Sequence, residues 1–110
     1  MKDKKWIHSD PSVRLPYFMM KSDAWKSMPC SAQSLYCWMR MSMFDSDNGF
    51  TNTNEGKAAF GPSMAPKFSP GKYYRALGWL LSVGFIDEVS AGGHGRKAVY
   101  DMMTLRWMGS

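Results

Sequence analysis

Residues 69–89 read SPGKYYRALGWLLSVGFIDEV and hold a helix with both of its ends. Ser69 is an N-cap, its hydroxyl placed to accept one of the backbone N–H groups that a first helical turn leaves unpaired. Pro70 follows at the first helical position, where a missing N–H is harmless. Tyr73, Ala76, Leu77, Leu80 and Leu81 recur at three-and-four spacing and form one apolar stripe. Gly84 supplies the positive φ that closes the helix, and Phe85 returns the chain to the core. Lys72, Tyr74, Arg75 and Trp79 fall outside the stripe, so a helix that needs one face for its own core carries cationic and aromatic groups elsewhere. Gly78 sits mid-helix at about 1 kcal/mol relative to Ala, which points to a close approach there or to a bend.

Working outward, SAQSLYCWMRMSMF (31–44) is a second amphipathic helix, with Ala32, Leu35, Tyr36, Met39 and Met43 on its buried face. KSDAWKSM (21–28) gives a short helix capped by Ser22, anchored by Trp25 and ended by Pro29. KAAFG (57–61) reads as a strand, and SMAPKF (63–68) as a helical turn that Pro66 keeps short. FIDEV (85–89) and KAVYDMMTL (97–105) are two strands joined by SAGGHGR, and Val99 and Tyr100 cannot both face the core. DSDNG (45–49) and the polar run after it are a loop. Its Asp45, Asp47 and Glu55 lack the later ligands and closing Glu of a calcium loop. Residues 1–16, with Pro11 and Pro16, are an arm whose order depends on docking of Trp6 and Leu15. One domain over 17–108 follows, with the element order α-α-β-α-α-β-β.

The 110 residues are 45% hydrophobic and 21% charged, enough for one core. The net charge is +5, with +1 in residues 1–56 and +4 in 57–110. The second half is therefore the better surface for a polyanion, nucleic acid first. Most of the eleven Met and five Trp are expected to fill the core, the rest to serve binding. Cys30 and Cys37 lie about 10 Å apart along one helix, too far to bridge, and read as buried thiols of a reducing compartment. No stretch approaches the roughly 20 apolar residues of a membrane span, and the reading is a cytoplasmic protein.

Enzymatic chemistry finds no support. His8 and His94 are far apart, no C-x-x-C or H-x-x-x-H spacing exists, and neither cysteine has a local base. AGGHG (91–95) lacks the Lys-Ser/Thr and the following helix of a phosphate loop. Asp87, Glu88 and Asp101 form no acid–base pair. No enzyme, cofactor, metal or small-molecule substrate is expected.

SDAW (22–25), SAQSLY (31–36), DNG (47–49), GKAAFGPSMA (56–65), SPGKYYRAL (69–77), GFIDEV (84–89), GGHGRKAVY (92–100) and LRW (105–107) together carry a resemblance. From Arg14 to Trp107 the chain resembles the winged helix-turn-helix domains of small phage, plasmid and bacterial replication-initiator and regulator proteins. The resemblance implies an α+β fold of three to four helices with a small antiparallel sheet and a C-terminal hairpin wing. Ser63–Lys67 would be the supporting helix, Ser69–Val83 the recognition helix and Ala91–Arg96 the wing.

Duplex DNA is then the expected partner, and regulation of transcription or replication in a phage or mobile element the expected role. Lys67, Lys72, Tyr74 and Arg75 would meet DNA from the helices, and His94, Arg96 and Lys97 from the wing. Lys72 suits phosphate, whereas Arg75 has the fork that pairs with guanine O6 and N7. Trp79 and Val83, four apart, form an apolar ridge where such helices usually carry polar groups. That ridge keeps a second reading open: a protein-binding winged helix, such as a phage-encoded inhibitor of a host nucleic-acid-handling complex, or a homodimer. The alternative cover for the ridge is the arm itself, through Trp6 or Tyr17.

Overall fold

The structure, a computed structural model, describes residues 15–43, 56–93 and 95–109. The expectations for the N-terminal arm before Leu15, for the 45–55 loop and for His94 lie outside these residues. Among the described residues, four helices and a three-stranded antiparallel sheet make an α+β fold: α1 (Tyr17–Met20), α2 (Asp23–Lys26), α3 (Cys30–Ser42), β1 (Lys57–Phe60), α4 (Pro70–Val83), β2 (Asp87–Ser90) and β3 (Ala98–Asp101). Single 3₁₀ turns occupy Pro62–Met64 and Arg106–Gly109. The strands lie in the order β1-β3-β2.

Local chemistry explains the boundaries. The Ser69 hydroxyl accepts from the Lys72 N–H at 3.3 Å, and Ser22 accepts from Trp25 N–H at 3.2 Å. Gly84 closes α4 with φ 99°, and the N–H groups of Gly84, Phe85 and Ile86 all converge on the Leu80 carbonyl. Phe85 and Ile86 are thereby committed to the helix cap, and β2 starts two residues later than the alternation predicts. β3 stops at Asp101 because its own carboxylate takes the next free N–H, that of Met103, at 2.9 Å. α1 was not anticipated; it starts after Pro16 and contributes the buried Met19.

α3 and α4 pack on each other, α3 also meets β1, and the sheet closes the other side. Ala32, Leu35, Tyr36 and Met39 of α3 face Tyr73, Ala76, Leu77 and Leu80 of α4 across one core. An aromatic chain runs through it: Trp25 meets Tyr36 and Phe85 edge-on, each at 5.6 Å, and Phe85 stacks on Trp107 at 5.3 Å. Tyr100 is buried and Val99 only partly so, as the strand pleat requires. Met19, Met28, Met39, Met43 and Met102 fill this core, while Met20, Met41, Met103 and Met108 are exposed. Arg106 holds the final turn in place by donating to the Asp87 carboxylate and to the carbonyls of Leu81 and Ile86.

Two expectations are corrected. The supporting helix over Ser63–Lys67 is a single 3₁₀ turn at Pro62–Met64. Pro66 has no N–H to continue it and forces Ala65 into an extended conformation, φ −109° and ψ 97°. Both cysteines are exposed, not buried. The stripe that buries Leu35 and Tyr36 turns Cys30 and Cys37 outward on the same helix, so position overrides the usual preference of cysteine for the interior.

Candidate nucleic-acid interface

The sheet order places the β2–β3 connection beside the N-terminal half of α4. Gly93 and Arg96 exchange two backbone hydrogen bonds, and Gly95 has φ 75°, so the connection turns tightly. Gly92 is required there, because a Cβ would come within 2.9 Å of the Ala98 backbone nitrogen. In β2 the register shifts between Glu88 and Ser90, a bulge at the exposed Val89 that bends the strand. A cleft of about 600 Å³ results between α4, the end of β1 and the β2–β3 turn.

Tyr74, Arg96 and Lys97 line this cleft together with Tyr73, Tyr100 and Glu88. The Arg96 guanidinium lies over the Gly93 backbone, and the Lys97 stem passes beside Gly61. Tyr74 meets Tyr73 edge-on at 5.0 Å. Burial pushes the Tyr73 phenol well above its ordinary value and raises that of Tyr100, to whose shift the neighbouring Glu88 carboxylate adds. Both are neutral hydrogen-bond donors at physiological pH.

Lys67 and Lys72 are elsewhere. They line a second groove, against Ser34 and Trp38 of α3 and the aromatic ring of Phe68, over which the Lys72 ammonium sits at 5.4 Å. Successive helical residues are rotated by about 100°, so Tyr74 lies on the opposite flank of α4 from Lys72, not beside it. Arg75 occupies the exposed face between the two flanks, its guanidinium close to Gly71. Gly78 and Ser82 continue that face, and among the described residues nothing beyond the helix's own backbone and chain neighbours comes within 4 Å of a Cβ placed at Gly78. The close approach expected at Gly78 is therefore not made by the described residues. Lys67 stands at φ 67°, a strained backbone for a side chain, at the turn that Pro66 begins.

Lys67, Lys72, Arg75, Arg96 and Lys97 are all exposed, and among the described residues none is in an ion pair with a carboxylate. The Trp79–Val83 ridge is smaller than the spacing implies: Trp79 is 45% exposed, but Val83 is partly buried against the core. Tyr17, one of the two covers expected for it, is 75% exposed, and Trp6 lies outside the described residues.

Sequence reasoning missed Tyr73, Tyr100 and Glu88 as parts of one surface. Their only signal was the alternation that put Glu88 and Tyr100 on paired strands, where they lie opposite one another. Among the described residues, no three His, Cys, Asp or Glu side chains gather as a metal site, and no helix is long and apolar enough to cross a membrane. The chain matches no protein-family model, and no curated protein or solved structure is significantly similar to it.

Proposed function

We propose that the chain is a winged helix that binds duplex DNA, with α4 as recognition helix and the β2–β3 turn as wing, acting in transcription or replication control. The observation that carries this reading is the sheet order β1-β3-β2, with α4 leading directly into β2. That arrangement sets two cations of the turn, Arg96 and Lys97, next to a helix whose exposed N-terminal half carries Lys72 and Arg75. A helix N-terminus of this kind enters a major groove, with Arg75 on base edges and the flanking cations on phosphates. The wing cations then follow the adjacent backbone. The split of Lys67 and Lys72 to one flank and Tyr74 to the other suits a helix with a phosphate strand on each side.

A mobility-shift titration against random-sequence duplex tests it. Lys72→Ala with Arg75→Ala should weaken binding to every duplex and flatten the log–log salt slope by about 1, the phosphate contact of Lys72. Unchanged binding and slope remove α4 from the interface.

Trp79 supports the second reading, a protein-binding winged helix. An indole 45% exposed on a helix that already has its core face is a better anchor for a protein than for phosphate. Under that reading Trp79→Ala abolishes capture of a protein partner and leaves duplex affinity intact. Under the DNA reading the duplex titration responds to Lys72 and Arg75 and not to Trp79.

A further inference from the structure

The cleft between α4 and the β2–β3 turn contains more than a phosphate contact uses. Tyr73 is 1% and Tyr100 5% exposed, whereas Tyr74 is 58% exposed. Among the described residues none of the three hydroxyls makes a hydrogen bond. No side-chain nitrogen or oxygen among these residues is both sealed from solvent and unpartnered. The oxygens of Tyr73 and Tyr100 therefore keep slight access to solvent, as unbonded donors on otherwise buried rings that line the cleft. Unmet donors on immobile rings are a preformed receptor for acceptor atoms.

The other groups narrow the ligand. Arg96 and Lys97 on the turn supply positive charge for a phosphate. Glu88, opposite Tyr100 in the register, puts a carboxylate in the same space. A site for phosphate alone is weakened by such a carboxylate; a ligand that also brings N–H donors is held by it. The exposed ring of Tyr74 offers a flat face for stacking. Paired duplex hides the base faces and the Watson–Crick edges, so a double strand cannot satisfy this set.

We propose that the cleft receives a single unpaired nucleotide of a nucleic-acid strand. Its base stacks on Tyr74, its phosphate lies at Arg96 and Lys97, and its sugar or phosphate oxygens accept from the Tyr73 and Tyr100 hydroxyls. Glu88 accepts from the base edge. Guanine is the preferred base, because its N1–H and N2–H₂ present two adjacent donors to one carboxylate, whereas thymine presents a single N–H. The proposal rests on the nucleic-acid reading above and adds a single-stranded element to it, such as a frayed end or an opened site.

The test is a titration of the ¹⁵N-labelled full chain with dGMP, dTMP, inorganic phosphate and the pentanucleotides d(TTGTT) and d(TTTTT), followed by amide shifts. The expected result is shifts at the cleft with dGMP, tighter binding of d(TTGTT), and weaker responses to dTMP and d(TTTTT). Tyr74→Ala, or Arg96→Ala with Lys97→Ala, should each reduce d(TTGTT) affinity about tenfold or more. Glu88→Gln should erase the preference for guanine. All four side chains are exposed, and unchanged melting temperatures verify that the variants fold.

Equal shifts and affinity for inorganic phosphate and dGMP would reduce the cleft to an anion site and overturn the proposal. Absence of cleft shifts with every probe, or no preference between guanine and thymine, also overturns it. Equal affinity for dGMP and d(TTGTT) would assign the site to a free nucleotide and overturn the strand assignment. The duplex reading is scored separately, since Lys72 and Arg75 do not line this cleft. Loss of the duplex effect of those two substitutions with cleft shifts retained defeats that reading alone.

Discussion

Gly84 and Gly78 belong to the same helical segment, yet the structure gives them opposite values. At Gly84 the backbone has φ 99°, and a Cβ would lie 2.7 Å from Arg106 Cβ and 2.9 Å from the Trp107 backbone nitrogen. Gly84→Ala should therefore destabilise the fold by about 2 kcal/mol, through strain and collision with a backbone that cannot yield. At Gly78 the conformation is helical and, among the described residues, the space is open, so Gly78→Ala should stabilise by up to about 1 kcal/mol. Denaturant unfolding of the two variants checks both signs. A further residue-scale prediction concerns Cys37. Although the residue is exposed, its thiol is desolvated among Leu15, Trp38 and Met41, and this pushes its pKa above the ordinary value despite the Arg40 charge. In the native protein Cys37 should react with a thiol reagent, at neutral pH more slowly than free cysteine, and the deficit should close as pH rises. Labelling only after denaturation would restore the buried assignment.

At the scale of elements, the Arg106–Asp87 contact joins the last 3₁₀ turn to β2 and the end of α4. Its hydrogen bond holds the Asp87 carboxyl below its ordinary value of 3.8. A depressed carboxylate contributes stability above its unfolded pKa and loses it as pH falls through the folded one. Asp87→Asn should lower the melting temperature modestly at pH 7, since the pair is exposed, and the difference from the parent chain should shrink below pH 3.8 and vanish once pH has fallen below the lowered folded-state value. A gap constant with pH would show that the ion pair contributes nothing. Elements fixed by local chemistry were legible in advance: the Ser22 and Ser69 caps, the Gly84 stop and the apolar stripes of α3 and α4 all depend on neighbours within a turn. What was not legible depends on contacts remote in sequence or on competition for one donor. The Leu80 carbonyl holds back β2, Asp101 cuts β3 short, and Pro66 reduces a helix to a turn. The cysteines were misread because residue type was allowed to outweigh the stripe that had already placed their neighbours. The candidate site was legible as a set of side chains and not as a surface. Only the rotation of α4 against the sheet sends Tyr74 to the β2–β3 turn and Lys72 to the groove beside α3.

For the whole molecule, the charge excess of the second half is what the proposed function uses. Lys72, Arg75, Arg96 and Lys97 come from two elements separated in sequence and brought to neighbouring surfaces by the sheet order. Four such contacts give weak binding from one copy, so useful specificity needs a second copy or the unpaired nucleotide proposed for the cleft. The most direct measurement is the affinity of the full chain for a random-sequence duplex between roughly 50 and 200 mM salt. With Lys72, Arg96 and Lys97 on phosphates and Arg75 on base edges, log affinity should fall against log salt with a slope of about −3. A slope near zero, or no duplex binding at the low-salt end, would contradict the account.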